Sequence, residues 1–347
     1  MNQPHTSSIT FADSHIGMPH GAGGQATRRL VEGLFIPAFR NAVLAERSDA
    51  AVFAHGSDRL AMTTDSYVVK PLAFPGGSIG DLAINGTVND LAVSGADPLV
   101  VSASFILEAG LDVTILRREV EAMARAAAAA GVTIATGDTK VVEHGKADGL
   151  YINTTGLGRV DPRLQLGPSR VVPGDQVLVS GPIGDHGITI LLARGELDLE
   201  SDVRSDTRSI LLLTRALRDA LGSELKWMRD ATRGGVATVL NELADDAGVS
   251  VFVSEERIPV RDVVRGACEL LGIDPLHVAN EGQFVAVVSR ESADRAISAL
   301  RAVPGGEGAV VLGEVRDGPV GAVFGRSDFG GTRVIDMLVG DPLPRIC

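Results

Sequence analysis

Four aspartates stand where apolar runs end: Asp65 in MTTDSYVV, Asp90 in NGTVNDLAVSG, Asp138 in ATGDTK and Asp230 in RDATRGG. Taken singly, each reads as a cap or turn residue. Together they resemble a hard-cation site, because Mg2+ takes carboxylate oxygens and keeps waters and phosphate oxygens as its other ligands. Such a cation would let an acidic protein hold a polyphosphate. The other chemically suggestive residue is the last one, Cys347, in 341-DPLPRIC-347. The chain has two cysteines, Cys268 and Cys347, too few for a disulfide framework or a four-cysteine zinc site. Cys268 lies in the apolar helical pattern VVRGACELLG and reads as a small buried hydrophobe. Cys347 therefore needs a different explanation.

Its surroundings describe an arm. Pro342 and Pro344 disfavour helix and favour extended chain, and Gly340 supplies a flexible root. The seven residues from Asp341 to Cys347, at ~3.1–3.3 Å each, reach about 22 Å. Arg345 reads as an anchor for an acidic groove or a phosphate, and Ile346 as an apolar plug.

The glycine-rich segments HGAGGQ, FPGGSIG and TRGG can present backbone N–H groups to an anion. None fits GxxxxGK followed by Ser or Thr, or a GxGxxG loop after a strand. The histidines of HGAGGQ and GDHG lack metal-ligand spacing and read as local hydrogen-bonding groups. Asp81, Asn85 and Asn89 recur at i, i+4, i+8 beside Asp90, forming one polar stripe on an otherwise apolar helix. Buried, these groups need partners; a solvated face is the alternative reading.

The elements that must position these residues alternate between strand and helix. TRRLVEGLFIPAFRNAVLAER carries Leu30, Leu34 and Ala38 at helical spacing, with a kink at Pro37. AAVFAH and RLAMTTDSYVV read as strands joined by a tight turn, and a glycine-rich turn then feeds a helix that stops at Gly95. VVSASFIL is a strand, and the helix from DVTILRRE is capped by Asp112 or Thr114 and ended by Gly131. VTIATGDTKVV and LYINTTGLGRV are strands, and LGPSRVVPGD is a domain boundary. Beyond it come the strands QVLVSG, VSVFVSE, QFVAVVS and AVVLGEV, the loops PIGDHG and RDATRGG, and five helical stretches. This predicts two α/β or α+β domains rather than a solenoid or barrel.

Composition agrees with a packed protein: of 347 residues, 45% are hydrophobic, 22% charged and 4% aromatic. A net charge of −12 argues against a broad nucleic-acid or anionic-membrane surface. No apolar run approaches the ~20 residues of a membrane span. The opening MNQPHTSSITFADSH lacks a secretion signal, so the expected compartment is the cytoplasm.

The segments HGAGGQ, TTDSYVV, PGGSIGDLAINGTVNDLAVSGADP, TGDTKVV, VSGPIGDHG, RDATRGGVATVLNE, ANEGQF and the terminal PLPRIC, in order from residue 20 to 347, closely resemble the HypE family, the carbamoyl dehydratases of NiFe-hydrogenase maturation. The terminal Pro-Arg-Ile-Cys discriminates best, since the acidic loops occur across the ATP-binding superfamily of aminoimidazole ribonucleotide synthetase, selenophosphate synthetase and thiamine-monophosphate kinase. Only the leader, Met1 to Met18, looks long. The resemblance implies an α/β (α+β), two-domain aminoimidazole ribonucleotide synthetase-like fold with a mobile C-terminal tail. Its divisions are a leader at 1–19, an ATP-binding and dimerisation domain at 20–167, a C-terminal α/β domain at 168–335 and the tail at 336–347. It implies a homodimer paired through the N-terminal domains, with ATP and Mg2+ as cofactors. By motif position Asp65, Asp90, Asp138 and Asp230 would serve the metal, with Asn85, Asp138 and Thr139 at the nucleotide. His20, Gly21, Gly23 and Gly24 would form a mobile phosphate-covering loop, and Lys140 and Glu281 would lie near the reacting Cys347.

In this family a carbamoyltransferase, HypF, loads the terminal thiol, and the loaded S–C(=O)–NH2 loses water to become S–C≡N, which passes as cyanide to the HypC–HypD iron complex. An amide oxygen leaves poorly. Transfer of the ATP γ-phosphoryl group to it creates a leaving group, and two N–H protons must also be removed. Glu281 is the first candidate base, and Lys140 either a second base or a phosphate-binding charge. Two other readings remain. A kinase or synthetase acting on a free small molecule would not need Cys347, and the reactive thiol or selenol of a selenophosphate synthetase has no counterpart in residues 1–26. An ATP-responsive scaffold would present its tail without changing it.

Overall fold

The structure is a computed structural model that describes residues 10–196, 201–340, 343 and 345–347. The readings of Pro342 and Pro344 as extended chain, and of the leader over residues 1–9, fall outside these residues. The first helical run comprises α1 (Gln25–Leu30), a π-turn at Val31–Phe35 and α2 (Ile36–Phe39). Pro37 offers no N–H to the carbonyl of Gly33, and the helix widens just before it. The run ends at Arg40 (φ 46), well short of the end of the expected segment.

The N-terminal domain follows with β1 (Ala51–His55), β2 (Asp58–Tyr67), the short pair β3 (Ala73–Phe74) and β4 (Gly77–Ser78), α3 (Ile79–Val93), β5 (Ala96–Glu108), α4 (Val113–Ala130), β6 (Thr133–Val142) and β7 (Leu150–Val160). The sheet order is β1-β2-β7-β5-β6, with only β5 and β6 parallel. Asp112 caps α4 by accepting from the Thr114 N–H at 2.8 Å, and Gly131 at φ 68 ends it. Helix α3 packs on β2, β7, β5 and α4 and is buried almost all round, so its polar stripe is not a solvated face. The opposite face of the sheet is open, exposing Met62, Val100 and Ile106. Strand β6 forms an edge whose residues are nearly all exposed.

The C-terminal domain comprises β8 (Gln176–Val179), α5 (Asp185–Arg194), α6 (Leu211–Leu221), β9 (Leu225–Asp230), α7 (Gly235–Ala247), β10 (Ser250–Ser254), α8 (Asp262–Leu271), β11 (Phe284–Val288), α9 (Ala293–Arg301), β12 (Val310–Arg316), β13 (Ala322–Arg326) and β14 (Thr332–Val334). They build a seven-stranded sheet in the order β14-β13-β10-β12-β8-β11-β9. The β3–β4 pair, β13 and the edge strand β14 are too short or too weakly patterned to be expected from sequence. The GDHG segment is not a loop throughout: Gly184 makes the turn at φ 88, and Asp185 and His186 already belong to α5. One core joins the two domains, with Ile79, Leu82 and Val88 of α3 in the same cluster as Ile188 of α5, Leu213 of α6, Phe284 of β11, and Leu343 and Ile346 of the tail. Among the described residues no helix is long and apolar enough to cross a membrane.

Candidate functional site

Three of the four aspartates meet. Asp65 is on the helix-facing side of β2, Asp90 on α3, and Asp230 at the end of β9. Tyr67 and Thr87 donate to Asp65 at 3.3 and 3.5 Å, and Thr63 donates to Asp90 at 2.6 Å. A fourth carboxylate, Asp49, joins them from the segment before β1, its Oδ1 3.1 Å from Nε of Arg229. Burial pushes all four carboxyls up, and their mutual repulsion adds to this for Asp49, Asp90 and Asp230: Asp49 reaches about 6, and Asp90 and Asp230 lie well above the ordinary range. Asp49 also lines a cavity of about 570 Å3 with Arg59, Trp227 and Arg229.

Glu281 lies beside this group, 4% exposed, its Oε1 without a hydrogen-bond partner. Burial raises its pKa well above the carboxylate range, and Asp230, Asp206 and Asp65 add to the shift against Arg233. Its backbone is fixed on both sides. Its N–H donates to Asp206 at 3.0 Å, and its carbonyl accepts from the Asn89 amide at 3.3 Å. Asn89 also donates to the Arg208 carbonyl and accepts from the Ile210 N–H, which gives that part of the polar stripe its partners across the domain boundary.

The tail lies inside. Leu343 and Ile346 are buried at 3% and 1% exposure, and Cys347 is 9% exposed. Val68 donates its N–H to a carboxylate oxygen of Cys347 at 3.1 Å, and Lys70 to the Arg345 carbonyl at 3.4 Å, so the tail runs along the chain that continues β2. Arg345 adopts φ 58, in the left-handed region; it donates to the Val68 carbonyl and pairs with Asp148. On the other side Nε2 of His186 meets the Ile346 carbonyl at 2.7 Å, and Arg194 donates to the carbonyls of Lys70 and Arg345. The Arg233 guanidinium is held positive chiefly by Cys347, then by Glu281 and Asp65. Cys347, Arg233, Glu281 and Asp65 therefore share one interior.

The glycine loop closes over it. Arg233 donates to the Gly21 carbonyl at 2.6 Å, and a side chain at Gly23 would strike Arg233. At the start of α1, Gln25 and Ala26 donate their N–H groups to the carbonyls of Leu338 and Val339, so these donors are engaged by the base of the tail. A Cβ on Gly24 would stand 2.4 Å from the Leu338 carbonyl. His20 bonds Asp13 at 2.8 Å.

Other expected residues stand apart. Asp138, Thr139 and Lys140 are on the exposed edge strand β6, where Lys140 binds Asp138 at 2.6 and 2.8 Å. Within one chain Asp138 does not join the carboxylate cluster and Lys140 does not reach Cys347. Asn85 is 8% exposed and its side chain makes no hydrogen bond among the described residues. Sequence reasoning missed Asp49, whose segment RSDAAV repeats the pattern of an aspartate at a strand boundary, and Arg233, which stands inside the TRGG segment read only for its glycines.

These buried carboxylates suit a cation chemically. Arg229 and Arg233 offset only part of the charge that these carboxyls would carry when ionised, as their raised pKa values show, although no three His, Cys, Asp or Glu side chains among the described residues are already arranged as ligands. Two family descriptions match the chain: AIR synthase related protein, N-terminal domain, over residues 47–160, and its C-terminal domain over 172–326. Carbamoyl dehydratase HypE of Azotobacter vinelandii is 48% identical over 341 residues, covering 98% of this chain and 100% of the relative. The chain belongs to the HypE carbamoyl dehydratases. Two solved HypE structures agree. One, a HypE–HypF complex, has 43% identity and a TM-score of 0.85, covering 89% of this chain and 99% of the other. The second, a HypE in complex with ATP, has 44% identity and a TM-score of 0.79, covering 96% and 100%. The activity named for these relatives is the dehydration of a carbamoyl group.

Proposed function

We propose that this chain dehydrates a carbamoyl group carried on its own Cys347, using ATP and Mg2+, and yields a thiocyanate that serves as the cyanide donor for hydrogenase iron. The observation that carries the reading is the burial of Cys347 within the electrostatic reach of Arg233, which Glu281 and Asp65 also share. Mg-ATP supplies the phosphoryl group that makes the amide oxygen leave. Asp65, Asp90 and Asp230, with Asp49, would hold the cation. Arg233 is placed to balance negative charge beside the terminal residue. Glu281, buried and without a partner for Oε1, takes an N–H proton once positive charge nearby has drawn its pKa down. The seat encloses Leu343 and Ile346 and so excludes water.

Lys140 and the Asp138–Thr139 pair enter this reading through a second copy. An unpaired edge strand with apolar residues on an open sheet face calls for a partner, and a homodimer built there sets these residues against the neighbouring chain's site. HypF loads the thiol, and the HypC–HypD complex accepts cyanide. Mass spectrometry of the carbamoylated protein after Mg-ATP addition should reveal loss of one water at Cys347. Cys347→Ala should keep the fold and ATP binding and lose the modification. ATP turnover with no mass change would remove the dehydratase reading in favour of a scaffold.

A further inference from the structure

His186 is fully buried in the first turn of α5, with its ring edge-on to Phe74 at 5.6 Å. Nε2 lies 2.7 Å from the Ile346 carbonyl and Nδ1 2.8 Å from Oγ of Ser205. A carbonyl only accepts, so Nε2 carries the proton; Nδ1 of the neutral ring then accepts from Ser205. Burial and the neighbouring Arg194 depress the ring's pKa to about 4, which keeps it neutral. Ser205 is oriented in turn by the Thr207 N–H at 3.0 Å and its hydroxyl at 2.7 Å. The run Thr207, Ser205, His186 thus fixes one tautomer and aims its donor at the last peptide before the reactive residue.

Resting on the dehydratase reading, we infer that His186 is a positioning residue for the tethered substrate: its Nε2–H holds the Ile346 carbonyl and so sets where the Cys347 thiol lies. The ring bonds the peptide that precedes the terminal residue. It acts one residue away from the terminal one. Gly187 beside it leaves room for the tail, since a Cβ there would come within 3.0 Å of Leu343 and 2.6 Å of Val278. The same bond opposes loading, because an outside enzyme needs the tail released. Removing it should therefore move two rates in opposite directions, which loss of general stability does not do.

The test uses the full-length chain and iodoacetamide without ATP, with both thiols followed by mass spectrometry. His186→Ala should raise alkylation of Cys347 about tenfold, as expected for losing one buried hydrogen bond. Ser205→Ala should act in the same direction, and His186→Gln, which keeps a donor of similar reach, should return the rate toward wild type. Cys268, 1% exposed in α8, should stay unreactive throughout. For the carbamoylated chain at saturating Mg-ATP, water loss should slow about tenfold in His186→Ala. Unchanged protection of Cys347, Cys268 reacting in step with it, or a defect confined to ATP affinity would each overturn the inference. If the carbamoylated wild type never loses water, the dehydratase reading fails by itself, and the alkylation comparison still decides whether His186 holds the tail.

Discussion

Glu281 illustrates how one buried residue can be a base only conditionally. Its burial, with Asp230, Asp206 and Asp65 nearby, pushes its pKa well above the carboxylate range, and Arg233 opposes that shift. In the proposed mechanism a Mg2+ ion held at the aspartates would change that balance by adding positive charge there. Glu281→Gln mimics the protonated form in shape, so it should leave thermal stability unchanged while slowing water loss on the order of 10²–10⁴-fold. Mass spectrometry and a melting curve on the same sample check both parts. The position of Glu281 beside glycine in NEGQF gave no hint of its burial, because nothing local marks an unpartnered carboxyl. Asp65, Asp90 and Asp230 were legible since aspartate after an apolar run is a local pattern. That Asp138 would be outside their cluster was not, since proximity between loops depends on sheet order.

At the scale of elements, the alternation of strand and helix was readable from apolar periodicity and glycine stops, down to Asp112 and Gly131 at the ends of α4. What periodicity does not carry is strand order, and β6 at the edge is the consequential case. If Lys140 serves the neighbouring chain, two inactive variants should rescue each other: mixing Lys140→Ala with Cys347→Ala after dissociation restores water loss, because the heterodimer keeps one complete site. No recovery on mixing would confine Lys140 to its own chain. Ile106→Lys, on the open face of β5, should convert dimer to monomer by size exclusion and reduce activity with it. Helix α3 was the ambiguous element. Its polar stripe is buried because the C-terminal domain covers it, a fact set by tertiary packing rather than by the helix's own sequence.

For the whole molecule, the concentration of buried acids makes stability a function of pH. Burial raises Asp49 and Asp206 to about 6 in the fold, and it holds Asp90, Asp230 and Glu281 well above the ordinary carboxylate range. A carboxyl with a raised folded-state pKa binds its proton more tightly when folded, so its contribution is present below the unfolded value of about 4 and is lost as pH rises through the folded one. The ligand-free protein should therefore lose melting temperature from about pH 4 to pH 6 and beyond, and Asp90→Asn should flatten that decline. Mg2+ should raise the melting temperature more at pH 8 than at pH 5, because only the ionised cluster attracts it. A melting curve insensitive to pH and Mg2+ together would refute the charged-cluster account.

The tail's hydrogen bond to Val68 starts three residues after Asp65 on one continuous stretch of chain, with buried Tyr67 between them bonding Asp65. The two binding events therefore share a backbone. Any displacement of that stretch by bound nucleotide is felt at the tail, and reciprocity of linkage demands the converse: by whatever factor Mg-ATP changes the equilibrium between the inward and outward arm, the inward arm changes the affinity for Mg-ATP. On the proposed reading, a chain loaded outside and emptied inside would have its nucleotide affinity tied to the location of its cargo.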